Sequence, residues 1–185
     1  MTYDLLLFLH IAAAIIWLGS GFLLHVLVWR AERADDASAL MATLRDMGAL
    51  GNILFVPASL ATFAFGLAMV FVAGWSFTDL WIVLGLAGYA TTFAIGFFLL
   101  KPRGDAIGAI VARDGISPEA VAKARQLVVI GRIDAVVLFL VVAVMALKPT
   151  TDDIATLAGL AAALVVGVVL SFTMARAPVP ATADA

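Results

Sequence analysis

Five apolar runs, each close to the length of a membrane crossing, dominate this chain. A bilayer's hydrocarbon core is about 30 Å thick, so a helix rising 1.5 Å per residue needs about 20 apolar residues to cross it. Segments 5–29, 53–73, 80–100, 128–147 and 154–174 meet that requirement. None alternates apolar with polar residues as a barrel strand does. The expected fold is all-α, a five-transmembrane-helix bundle making one domain over 1–176. A disordered tail is expected at 177–185, where two prolines fall among small residues.

Composition agrees. The chain is 64% hydrophobic and 13% charged, against about 25% charged in ordinary soluble domains. A soluble enzyme and a disordered chain are both excluded on that ground. A net charge of −2 excludes a basic nucleic-acid binder. With no cysteine, the chain has no disulfide, thiolate zinc site, iron–sulfur cluster or covalent c-type haem. Segment 5–29 lacks a basic leader and a cleavage site, so it is expected to stay as a helix rather than leave as a signal peptide.

Basic residues set the expected orientation. Arg30, Arg33, Arg45, Lys101, Arg103, Arg113, Lys123, Arg125, Arg132 and Arg176 fall on one side, and Lys148 alone on the other. The positive-inside rule then puts the N-terminus outside and the C-terminus in the cytoplasm of a bacterial inner membrane. Trp75 and Trp81 bracket the outer turn. Ser117-Pro118-Glu119 is a helix start expected to run unbroken into helix four. Ser38–Leu50 reads as a short separate interfacial helix, and Pro57, with Asn52 before it, as a kink opening helix two.

Helix five carries Gly159, Ala163, Gly167 and Ser171 at four-residue spacing. Small residues so spaced let two backbones approach in lipid. They serve either packing within the bundle or a homodimer or larger complex.

Ionisable residues within the membrane are costly and so mark candidate sites. His10 and His25 lie fifteen residues apart on helix one, about 22 Å in depth. They cannot share one metal ion. Trp17 and Gly21 fall within about 20° of His10 around the helix, setting a large aromatic and a gap on one stripe. A gap beside a neutral imidazole suits haem, with His10 and His25 as candidate axial ligands and Trp17 and Gly21 shaping the pocket. The alternative is that each histidine merely hydrogen-bonds a neighbouring helix. Met69 and Met145 share the depth of His10 as second-ligand candidates, for haem or, more weakly, copper; Lys101, Met174 and Met47 share that of His25. Asp134 is expected to pair with Arg30 or Arg132, or to act in proton transfer. Tyr89, Thr91 and Thr92 offer hydroxyls to the core. No nucleophile triad, phosphate loop or paired catalytic carboxylates occur, so catalysis is left open.

Leu9-His10-Ile-Ala-Ala-Ala-Ile-Ile-Trp17-Leu-Gly19 resembles the first helix of a broad group of small bacterial membrane proteins. It includes CopD-type copper-resistance proteins and HemJ-type protoporphyrinogen oxidases. Chain length, five spans and Met145-Ala-Leu-Lys148-Pro149 resemble more closely a bacterial family of predicted integral membrane proteins, domain of unknown function 2269. The resemblance implies a haem b or copper site on His10. HemJ-type proteins add a lysine from a later helix, but Lys101 lies at the opposite end from His10, so only His10 carries over. The function expected is a haem-b-binding redox or electron-transfer protein. A non-enzymatic accessory subunit docking through helix five is the alternative. A metal or small-solute transporter is third, since broken helices and intramembrane charge are scarce.

Overall fold

The computed structural model describes residues 1–176 as seven α-helices. They are α1 (Thr2–Arg33), α2 (Ala37–Leu50), α3 (Val56–Ala73), α4 (Leu80–Ala94), α5 (Lys101–Asp114), α6 (Pro118–Leu147) and α7 (Ile154–Arg176). The expected tail, 177–185, lies outside the described residues. Five helical rods are long and apolar enough to cross a membrane, as the apolar runs require: α1, α2 with α3, α4 with α5, α6 and α7.

Two of these rods are longer than the sequence reading has them. Residues 38–50 are not a separate interfacial helix, and helix two does not start at 53. A π-helical turn over Gly51–Phe55 joins α2 to α3 without a break, and another over Ile95–Leu100 joins α4 to α5. Each turn runs up to a proline near the start of the next helix, Pro57 and Pro102. Proline brings no N–H, and its ring clashes with the carbonyl four residues earlier. Widening the preceding turn by one residue absorbs that clash, so the rod continues where a stop or kink was expected. At α6 the expectation holds: Ser117 Oγ accepts from the Ala120 amide at 3.3 Å, and the helix runs unbroken to Leu147.

The rods pack antiparallel. α1 lies along α3, α4 along α6, and α7 along α6. Between lipid-solvated helices dispersion is the main attraction, and small residues let it act at short range. Met145 packs at Gly85 and Val141 at Gly88 between α6 and α4, and Val136 packs at Gly167 of α7. Ser171 is also buried against the bundle, whereas Gly159 and Ala163 are exposed. The small-residue seam of α7 is thus split, its lower half taken by this chain's own packing.

Most of the charged side chains gather at one end of the molecule, called here the charged end. There the last turns of α1, α2, α5 and the start of α6 form a core of soluble type. Val28, Ala31, Leu40, Met41, Ile107, Ile110, Ala120, Ala124, Leu127 and Val128 make one buried cluster. Arg132 of α6 binds Glu32 of α1, and Arg125 reaches Asp35 at 3.0 Å. The opposite end, here the turn end, is closed by short loops. Gly74 adopts φ +68°, which glycine takes without steric cost, and the Trp75 amide reaches back to the Val70 carbonyl to cap α3.

Candidate functional site

α1 carries both histidines, and the structure gives them the same kind of tether. His10 Nδ1 donates to the Thr62 carbonyl of α3 at 2.7 Å, and His25 Nδ1 donates to the Gly21 carbonyl of its own helix at 2.8 Å. A carbonyl can only accept, so each bond fixes the proton on Nδ1 and leaves the Nε2 lone pair outward. This is the arrangement that orients histidines which bind metals through Nε2.

The surroundings of the two rings differ. Gly66 of α3 lies against the Cε1–Nδ1 edge of His10, at 3.1 and 3.3 Å from where a Cβ would stand. The Nε2 side is left out of that contact and makes no hydrogen bond among the described residues. At His25 it is Nε2 itself that faces α6, 3.4 Å from a Cβ position on Gly131. The backbone of α6 takes the space an iron and its macrocycle would need. The two rings thus differ in which edge meets a neighbouring helix: the Nδ1 side at His10 and the Nε2 side at His25.

Trp17 and Gly21, expected on the stripe of His10, have these surroundings. Trp17 packs edge-on against Tyr89 at 5.9 Å, and Tyr89 stacks on Phe63 at 4.6 Å. These three rings fill the middle of the bundle between α1, α3 and α4. Gly21 serves His25 through its carbonyl, and no atom lies within 4 Å of its Cβ position. Of the methionines at the depth of His10, Met145 fills the space at Gly85, and Met69 is buried in α3. In the layer of His25, Lys101 pairs with Asp105 at 3.2 Å, and Met47 packs on the charged-end core.

The expected pairing of Asp134 is corrected. Arg132 turns to Glu32 of α1, because residues two apart on a helix point to opposite faces. Asp134 Oδ1 is left buried with no hydrogen-bond partner among the described residues, as are Tyr89 Oη and Arg132 Nη1. Thr92 is buried but bonds the Tyr89 carbonyl of its own helix at 3.0 Å, and Thr91 is exposed on the outer face of α4.

One cluster escaped the sequence reading. Lys148, in the left-handed region at φ +46°, sets its ammonium 4.5 Å from the Trp75 ring centre and 5.0 Å from that of Trp81. Tyr3 packs edge-on against Trp75 at 5.9 Å, tying the start of α1 to the cage. The signal was one lysine opposite two tryptophans on the side otherwise lacking basic residues.

The profile of a family described as "Predicted integral membrane protein (DUF2269)" matches residues 4–149. The chain belongs to that family. The match covers α1 to α6, including His10, His25, the charged-end core and the cage, and ends before α7. No curated protein and no solved structure matches the chain. The DUF2269 protein is therefore an integral membrane protein with five candidate spans, and its site must be argued from its own residues.

Proposed function

We propose that this DUF2269 protein binds haem b through His10 and takes part in electron transfer within a bacterial inner membrane. The observation that carries the reading is the His10 tether. Thr62 holds the proton on Nδ1, Gly66 lets α3 close on that edge of the ring, and Nε2 makes no hydrogen bond among the described residues. Haem bound there would supply reversible one-electron chemistry. The chain's own part is to orient a neutral imidazole and, with Trp17, Phe63 and Tyr89, to exclude water below it. Copper, which an imidazole with methionine donors could also hold, is the weaker alternative.

The test is an absorption spectrum of detergent-extracted protein expressed with added haem precursor. A Soret band is expected that His10→Ala removes and His25→Ala retains. A colourless protein refutes the proposal.

The same proposal places the charged end in the cytoplasm, on ten basic residues against one. Because the chain has no cysteine, single cysteines at Ser76 and Ser117 can report each side by labelling in intact cells. Ser76 is expected to label from outside.

A second reading, an accessory subunit of a larger membrane complex, is favoured by α7. Only 6% of its apolar window is buried, and α6 is its one extensive neighbour. Gly159 and Ala163 would then meet a partner helix. Gly159→Leu is expected to release the partner on purification, with no effect on the spectrum.

A further inference from the structure

At the charged end nearly every basic side chain already has a counterpart within this chain. Arg45, Lys101, Arg113, Lys123, Arg125 and Arg132 each lie against a carboxylate. Arg103 donates to the Leu99 carbonyl. Two arginines differ, and they are one turn apart. Arg30 and Arg33, in the last turn of α1, are exposed and make no ion pair among the described residues. Both line a single open groove of about 550 Å³ between α1 and α2.

The walls of that groove say what would fill it. Trp29 forms one side, half exposed, and the Arg33 guanidinium lies 4.9 Å over its ring, which holds the planar fork in place. Thr43 of α2 forms the other, and Leu27 closes the end toward the membrane. Asp36 is the groove's one carboxylate; it accepts from the Ala39 amide at 2.9 Å to cap α2 and pairs with neither arginine. Two arginines with no ion pair among the described residues therefore line a groove large enough for an anion. Their forks match the oxygens of a phosphate better than any apolar occupant.

The approach to the groove is apolar. Leu23, Leu27, Arg30 and Ala34 follow one another at four, three and four residues, so they form one face of α1. Leu23 and Leu27 are exposed, 59% and 37%, within the spanning part of the helix. A chain lying along these leucines reaches the arginines after about 10 Å. An amphiphile with an acyl tail and a phosphate head has that shape, and a free anion makes no use of the stripe.

We propose that this groove is a binding site for one anionic phospholipid, its phosphate held by Arg30 and Arg33 and its acyl chain laid along Leu27 and Leu23. The site is independent of His10 and of any cofactor there. Bound at the junction of α1 and α2, the lipid would neutralise the two arginines that line the groove.

Native mass spectrometry of the full chain in mild detergent tests this, with phosphatidylglycerol and phosphatidylcholine of identical acyl chains added in turn. Retention of phosphatidylglycerol over phosphatidylcholine by about thirtyfold in affinity is expected, from two arginines acting near a membrane surface. The Arg30→Gln/Arg33→Gln pair should abolish the preference. Arg103→Gln at the same end should leave it, and Arg33→Lys should keep most of it. Millimolar inorganic phosphate should not displace the lipid. Equal retention of the two lipids overturns the proposal, as does a preference that survives the double substitution. Displacement by inorganic phosphate would reassign the groove to a soluble anion and overturn the lipid.

Discussion

Leu40 and Leu23 are chemically identical and face opposite solvents. Leu40 is 3% exposed in the charged-end core, where α1, α2, α5 and α6 exclude water as a soluble four-helix domain does. Leu23 is 59% exposed on the spanning part of α1, where the surrounding medium is as apolar as the side chain. The hydrophobic effect therefore holds the charged end together and does little between the spanning rods. In the membrane half, close contact at Gly66, Gly85, Gly88 and Gly167 takes its place.

The largest effects should follow that division. Leu40→Ala removes buried volume from a water-excluding core and is expected to cost about 2–5 kcal/mol. Leu23→Ala should change thermal stability in detergent by less than about 0.5 kcal/mol. Equal losses from the two substitutions would break the comparison.

Next in size is the contrast between two acidic side chains. Glu32 binds Arg132 across α1 and α6, with the two side chains 20% and 13% exposed. Glu32→Ala strands an arginine whose Nη1 already lacks a partner, and should cost about 2–3 kcal/mol, below the fully buried case because water reaches the pair. Asp134 has no such partner, and Asp134→Leu should instead stabilise by about 1 kcal/mol, as one buried unsatisfied carboxyl is removed. Melting curves of the two variants should therefore move in opposite directions. A loss of stability in Asp134→Leu would show that the carboxyl has a partner in the membrane.

The five spans were legible because a run of about twenty apolar residues has few other uses. What lay between them was harder to read. Pro57 read locally as a kink and helix three as ending at 100, whereas π turns carry both rods on past Pro57 and Pro102. The Arg132 partner, Glu32, lies 100 residues away, so a local reading offered only Arg30 or Arg132 as partners for Asp134. His10 could be singled out as a rare ionisable group in lipid. Its anchor could not, since the Thr62 carbonyl is backbone and leaves no trace in residue type. The difference between His10 and His25 is set by which ring edge meets a glycine, and that depends on helix rotation rather than on composition.

At the turn end, loops and rings substitute for a core, and the expected effects are smaller. Lys148→Ala removes a cation held by two indoles and should cost about 1 kcal/mol. Lys148→Gly loses the same contacts but suits the left-handed backbone, and should recover about 1 kcal/mol relative to alanine. Glycine close to Lys148 with alanine below both would sharpen the picture of a cage held at the cost of backbone strain; alanine matching glycine would remove the strain from it.

The smallest effect concerns Asp153, just before α7. Its Oδ2 accepts from the amide and the hydroxyl of Thr150, both at 2.8 Å, and these bonds hold its carboxyl below the usual carboxylate range. The folded form thus keeps the carboxylate to lower pH than the unfolded chain does. Its contribution is complete above the ordinary aspartate value of about 3.9 and is lost as pH falls through the lower folded value. Both groups are open to water, so the loss should loosen the start of α7 without unfolding the bundle. Hydrogen exchange at the Thr150 amide should show it, with protection constant from neutral pH to about 5 and falling below about 4, after correction for intrinsic rates. In Asp153→Asn that acid step should vanish while the charged-end core keeps its protection, because α7 and its loop share no side chain with that core. Simultaneous loss of protection at both ends would mean the two halves unfold as one unit, against the division that Leu40 and Leu23 define.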